Sequence, residues 1–404
     1  MLIEFSLWFW FISTESAIIF AKNARTVWTA CAHIITTAIG AGVLSLAWAM
    51  SQLGWIAGVG ILLLFSAVSF YTANLLADCY RSPDPVTGKR KYSYMEAVKA
   101  TLGLCKNHIA TAKGVQMLNA RYGNQDVKAK HRYLRAGVQG HGVGLSAEDK
   151  VWRMFTAAGD IAFACMYAPV LFDIQDTLKS SPPENKVMKR ASAIGVSVMM
   201  IFFMLCGCFG YAAFGDLAPE NLLAGFGFHQ TSWVIDLANF FIVVHLLGAY
   251  QYLKVETQLP KSRGVSAAGV RAIETWASRR WPDSGFIMSE YSISIYSKRL
   301  TTMNLFRLTW RTLFVVMVTL VALALPFFTD MIALMGAIGY WPIVVYFPVE
   351  MHIAQNKIPK RTARWAGLQL LSFLIFLISL AAASGAIQGL HKNLHAYEPF
   401  KSKD

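Results

Sequence analysis

The sequence predicts an all-α polytopic membrane protein, and three observations carry the prediction. The 404 residues are 55% hydrophobic and only 15% charged, where soluble domains carry about 25% charge. Apolar stretches of about 20 residues, the length that crosses a bilayer as a helix, recur along the chain. Lys and Arg gather in the short loops between those stretches, as the positive-inside rule requires. That clustering accounts for the net charge of +14 without nucleic acid, so no nucleic-acid partner is expected.

Residues 1–27 form an N-terminal apolar anchor or tail. Leu2 to Ala21 is rich in Trp and Phe but holds Glu4 and Glu15 and lacks a basic start. It is a poor signal peptide, and reads as a weak extra span or an interfacial anchor.

The organising stretch is Trp28 to Trp55, with Gly40-Ala41-Gly42 near its middle. Glycine lowers the cost of leaving helical geometry. Backbone that leaves the helix in lipid is tolerated only where it lines a cavity or is buried in protein. Two readings stand. The glycines interrupt the helix and free N–H and C=O groups for a ligand, or they are small residues that let helices pack closely.

The first span is expected at 29–50 and the second at 55–77, joined outside by Ser51-Gln52-Leu53-Gly54. Lys22 and Arg25 before this pair and Arg81 to Lys91 after it place both flanks inside. Residues 104–150 hold no apolar run long enough to cross and carry many Lys, Arg and Gly. They read as a polar cytoplasmic insert. Further spans are expected at 191–214, 233–253, 308–328, 331–353 and 366–390, about eight in all. The loop 215–232 lies outside, and the basic loops 179–190, 254–307 and 354–364 lie inside. The 254–305 loop reads as a linker.

Between them, Gly159 to Leu178 has an apolar core only from Ile161 to Phe172, with Pro169 inside it and Asp160 and Asp173 at its edges. Arg81–Lys91 and Lys179–Arg190 are both assigned to the cytoplasm, so an even number of crossings should separate them. Only this one segment is available. The expectation is that 161–178 is re-entrant or interfacial, with 104–150 and 179–190 on the same side.

Ionisable groups at membrane depth are costly and mark candidate sites. His33 and His245 each fit a proton-passing role or a neutral histidine bonded to a neighbouring helix. Glu350 fits an interfacial ion pair with Lys357 or Arg361, or a coupling role. The six cysteines show neither a zinc pattern nor a disulfide framework. No nucleophile elbow, phosphate loop or His-Glu-x-x-His pair occurs, so no enzyme, metal or cofactor is expected.

Ile39-Gly40-Ala41-Gly42-Val43-Leu44-Ser45-Leu46-Ala47-Trp48 resembles the first-helix motif of the plant amino acid permeases, within the amino acid/auxin permease family. Leu76 to Pro85, Gly159 to Phe163, Ile174 to Asn185 and Tyr346 to Glu350 support the resemblance. It covers about 24–103, 148–253 and 276–400, and departs at the N-terminus, at 104–150 and at 254–275. It implies a transporter domain over 28–400, with a five-plus-five inverted-repeat fold that apparently lacks its third to fifth helices. It also implies proton symport of amino acids across a plasma membrane, with lipid around the protein. By the same resemblance Ile39, Gly40, Ala41 and Gly42 would hold the substrate carboxylate. Phe163, Ala164 and Cys165, in a second broken helix, would face its amino group or side chain. A third helix walls the site in such a fold, so its absence would make the chain a non-transporting truncated permease, either a partner of full-length relatives or the product of a faulty gene model.

Overall fold

The computed structural model describes residues 26–91, 94–102, 146–222 and 328–396, with shorter stretches between 276 and 313. Among these residues five helices are long and apolar enough to cross a membrane: Leu46–Asp78, Ala147–Asp176, Glu184–Leu217, Thr329–Gln355 and Ala363–Asn393. A shorter apolar helix, Val27–Ala38, precedes them. The expected spans 233–253 and, but for isolated residues, 308–328 lie outside the described residues, as do residues 1–25.

Helix α1 (Val27–Ala38) opens on a reciprocal cap. Thr29 N–H donates to Thr26 Oγ1 at 3.4 Å, and Thr26 N–H donates to Thr29 Oγ1 at 3.2 Å. The chain then leaves helical geometry, makes one 3-10 turn at Ala41–Val43, and resumes as α2 (Leu46–Asp78). Within α2, Gly54 takes φ 75 and ψ 173, a backbone region open essentially to glycine alone. Leu46–Leu53 is therefore the outer half of the broken first span, and the second span follows Gly54.

A two-strand clip, β1 (Arg81–Ser82) and β2 (Lys89–Arg90), closes the inner end of α2. It leads to α3 (Tyr94–Leu102). Lys91 Nζ donates to Thr101 Oγ1 at 2.7 Å, which keeps α3 folded back toward the clip. The second broken span is α4 (Ala147–Ala164), a 3-10 turn at Ala168–Val170, and α5 (Leu171–Asp176). Helix α6 (Glu184–Phe214) runs alongside the first span. Gly195 meets Ile34, Gly207 meets Met50 and Gly210 meets Ala47. Its glycines thus track both halves of the broken helix, the close-approach use of small residues.

The expected linker 254–305 contains an antiparallel ribbon, β3 (Glu290–Ile295) with β4 (Lys298–Asn304), irregular at Ile293/Ser294. The last part comprises α7 (Phe328–Gly339), a π-helical stretch Tyr340–Tyr346, α8 (Phe347–Gln355) and α9 (Ala363–Ala396). Pro342 has no N–H for the α-helical ladder, and Phe347 N–H donates to Pro342 O five residues back, the π register.

Two ends of the bundle can be told apart by charge. At one end Arg81 and Arg90 meet Glu184, Lys189 meets Asp78, and Gln355 Nε2 donates to the carbonyls of Asp78 and Arg81. At the other, Asp149 pairs with Lys392 at 2.9 Å and Asn393 Nδ2 donates to Asp330 Oδ2 at 2.6 Å. The first end carries the basic loops, and is the end that the positive-inside rule expects inside.

This overturns the re-entrant expectation for 161–178. Residues 146–150 stand at one end of the bundle and 179–190 at the other, so α4 and α5 together run its full length, and Ala147–Asp176 is long and apolar enough to cross. The sequence reading measured only the apolar run from Ile161, whereas the helix starts at Ala147 with a cap from Ser146 Oγ to Asp149 N–H at 3.1 Å. Thr156, Asp160 and Gln175 within the span are buried. In the Ala147–Asp176 span 72% of the apolar window is buried inside the protein, against 39% for Leu46–Asp78 and 33% for Ala363–Asn393. Insertion costs for lipid-facing helices therefore do not govern it. Gly159 lies against the Ala333 carbonyl, Gly336 against the Phe163 backbone and Gly385 against Phe155, so α4, α7 and α9 pack almost backbone to backbone.

Candidate functional site

The helix breaks of the two discontinuous spans touch. A Cβ on Gly42 would stand 2.9 Å from Ala164 Cα and 3.1 Å from Phe163 Cδ1. Of the seven residues singled out for substrate, the structure therefore joins Gly42, Phe163 and Ala164 directly. Gly40 is exposed with nothing within 4 Å of a Cβ built on it, and Ile39 beside it is half-buried. The open side of the break is at Ile39 and Gly40, the closed side at Gly42.

The backbone chemistry of the first break follows from its bonds. Ile39 N–H closes the last helical turn on Ile35 O at 2.9 Å, and Gly40 N–H turns back to Ala38 O at 3.0 Å. Val43 N–H reaches Gly40 O at 3.2 Å. Ala49 N–H makes the first bond of the resumed helix, to Ser45 O at 2.9 Å. Ser45 Oγ is turned to the Gly42 carbonyl at 3.2 Å rather than capping the helix that follows. A helix start leaves its first N–H groups without intrahelical partners, and the preceding helix end leaves its last carbonyls so. Partial positive charge thus faces partial negative charge across the break, the polarity that suits an anionic group on one side and a cationic group on the other.

Cys165 does not join this surface. It is fully buried and turned toward the second span, with Sγ 3.7 Å from Ser66 Oγ. Its carbonyl accepts from Ser69 Oγ at 2.9 Å. Ser69 Oγ also lies 2.8 Å from Tyr340 OH, which donates to Phe65 O at 2.8 Å. With the two hydroxyl protons on the Cys165 and Phe65 carbonyls, Ser69 ties the second break to α2 and Tyr340 ties the start of the π stretch to the same helix, the two oxygens lying side by side. That anchoring was missed in the sequence, where Tyr340 carried no pattern beyond an apolar span.

His33 lies in α1 half-buried, and its carbonyl accepts from Thr37 Oγ1 at 2.7 Å. His245 lies outside the described residues. Glu350 meets neither Lys357 nor Arg361. Its Oε1 accepts from Gln369 Nε2 at 2.7 Å. His352, which the sequence reading passed over, is 5% exposed and its Nε2 lies 3.0 Å from Arg364 Nη2. Since Arg only donates, Nε2 is the acceptor and the ring is neutral there. An open groove of about 330 Å³ lined by Tyr71, Arg364, Gly367 and Leu371 sits beside that pair, away from both breaks.

Two spans broken side by side, with helix ends of opposite polarity meeting in a buried protein interior, define a membrane transporter of the broken-helix class. The chain belongs to the family described as transmembrane amino acid transporter protein, whose sequence profile matches residues 23–118 and 127–391. That family is one of transporters, not enzymes. Amino acid permease 3 of Arabidopsis thaliana is 42% identical over 462 aligned residues, covering 95% of this chain and 94% of the relative. Amino acid permease 6 of the same plant is 41% identical, over 94% and 93%. Probable amino acid permease 7 is 36% identical, over 90% and 93%. The profile runs through 254–275 and much of 104–150, two stretches where the resemblance was expected to fail. Still, an alignment of 462 positions exceeds a chain of 404 residues, so that relative has residues with no counterpart here.

Proposed function

We propose that this protein is a secondary active transporter that carries amino acids across the plasma membrane by proton symport. The observation that carries the reading is the contact between Gly42 and Ala164, which places the polar ends of two broken helices against one another. The substrate carboxylate is held by the N–H groups at Ala41 and Gly42, with Ile39 and Gly40, whose own N–H groups close the end of α1, lining the open side of the break. The carbonyl ends of α1 and α4 take the ammonium group, and half-buried Phe163 contacts the side chain. Residues 28–400 form the transporter domain. The relatives' names, amino acid permease, support the substrate class. The truncated, non-transporting reading is not favoured, since the alignment reaches 94% of a permease even though that relative has residues with no counterpart here.

The test is uptake of radiolabelled amino acids into cells lacking their own permeases. Uptake should rise as the outside is acidified and persist when sodium is replaced by choline. A strict sodium requirement would contradict the symport assignment, and no uptake of any amino acid by surface-expressed protein would contradict the whole reading.

A further inference from the structure

Asp160 is fully buried in α4, and neither carboxylate oxygen has a hydrogen-bond partner among the described residues. It stands one helical turn before Ala164, on the same face, and Ala164 is the residue against which Gly42 closes. In the sequence it stands at the edge of a short apolar run, Ile161 to Phe172. It is in fact deep in a helix that begins at Ala147, about 20 Å from that helix's start.

The groups facing it do not neutralise it. From α7 it feels Asp330, and from the loop after α6 it feels Glu220, both acidic. Asp330 is itself held by Asn393 of α9 at 2.6 Å. Lys392, the neighbouring base on α9, is engaged by Asp149 at 2.9 Å. On its own helix Arg153 faces Asp330, Glu220 and Asp149, and its Nη1 is buried without a partner among the described residues. Ionising a carboxyl this deep, with no hydrogen-bond donor beside it among the described residues, is costly, and binding a proton removes that cost.

We propose that Asp160 is the proton-binding residue of transport, carrying its proton while the two breaks are closed on each other and releasing it when α4 parts from α7. This rests on the symport reading above. In the closed arrangement Gly159 lies against the Ala333 backbone and Gly336 against the Phe163 backbone, so α4 and α7 meet closely on either side of Asp160, whose carboxyl is fully buried. When those helices separate, the Oδ–H bond breaks and the proton passes to water, leaving an ionised carboxylate that water can solvate. The α4–α7 packing cannot re-form around that charge until a proton returns. Movement of the helices, and hence of the break that holds substrate, is thereby tied to one proton.

The test uses the purified full chain in liposomes, with Asp160→Asn, Asp160→Glu and wild type compared by two readouts. One is accumulation of labelled amino acid driven by an inward proton gradient. The other is counterflow of labelled against unlabelled amino acid with no gradient. Asp160→Asn mimics the protonated acid, so it should lose gradient-driven accumulation and its pH dependence while keeping counterflow. Asp160→Glu keeps an acid but adds a methylene to a close-packed site, so it should retain more gradient-driven accumulation and pH dependence than Asp160→Asn, at reduced rate. A protonated-carboxyl infrared band should be present in wild type and reduced in Asp160→Asn, a signal independent of transport. Gradient-driven accumulation by Asp160→Asn, or loss of counterflow by that variant when wild-type amounts are reconstituted, would overturn the proposal. So would failure of both variants to fold with no band assignable in wild type. Wild type that shows counterflow but no response to a proton gradient would instead overturn the symport reading itself.

Discussion

Gly42 and Ala164 lie in contact although they come from different spans, and a Cβ added to Gly42 would fall 2.9 Å from Ala164 Cα. The neighbouring atom is backbone, which cannot swing aside. The contact therefore fixes how closely the two breaks approach.

Gly42→Val should abolish amino acid uptake while leaving the amount of protein in the membrane near wild type. Overpacking of this kind costs about 1–3 kcal/mol, enough to hold the breaks apart without unfolding a bundle built on many other contacts. Uptake normalised to surface protein is the measurement. Normal uptake by the variant would remove this contact from the mechanism.

Tyr340→Phe removes the hydroxyl that donates to Phe65 O and lies 2.8 Å from Ser69 Oγ. Phe65 O keeps its helical N–H donor, so the loss is that of one further buried hydrogen bond, about 0.5–1.5 kcal/mol. The variant should melt at a lower temperature in detergent, and Ser69→Ala should melt lower as well. An unchanged melting temperature in both would show that these bonds do not anchor the second break.

Glu184 has a side chain only 2% exposed and accepts from Arg81 at 2.7 Å and Arg90 at 2.6 Å. Glu184→Gln leaves two guanidinium groups facing each other at the inner end. The expected destabilisation is about 3 kcal/mol, the lower end for breaking a buried ion pair. It should appear as a lower melting temperature and as faster proteolysis near Arg81–Lys91. Wild-type stability would show the cluster to be incidental.

Cys79 is fully buried just past α2, and burial pushes its thiol up to about 12. Only the thiolate reacts, so at pH 8 about one thiol in ten thousand is available. Maleimide should modify Cys79 at least about a hundredfold more slowly than an exposed cysteine in the folded protein, and at an ordinary rate after denaturation. Equal rates before and after would contradict the packing of the inner clip.

The membrane class and the first break were legible because both are written locally, in the length of apolar runs and in Gly40-Ala41-Gly42. That Arg81–Lys91 and Lys179–Arg190 share one end of the bundle was legible from their charge. The second broken span was not. Lys150 and Arg153 on its outer turns, Asp160 within it and Pro169 at its break all lower its apolarity. A helix surrounded by protein does not need an apolar outside, so hydropathy undercounted it. Asp160 was mistaken for a boundary by the same error. The pairing of Glu350 with Gln369, and of Tyr340 with Ser69, depends on which helices become neighbours, which no short motif records.

The most direct test of the account is the sidedness of Ser146 and Lys186, which flank the second broken span. Each is replaced singly by cysteine in an otherwise cysteine-free chain and labelled with a membrane-impermeant maleimide in intact and permeabilised cells. Because α4 and α5 cross from the outer end to the inner end, Ser146→Cys should label in intact cells and Lys186→Cys only after permeabilisation. Labelling of both only after permeabilisation would mean that 161–178 does not cross. In that case the two breaks could not meet, and the chain could not transport as described.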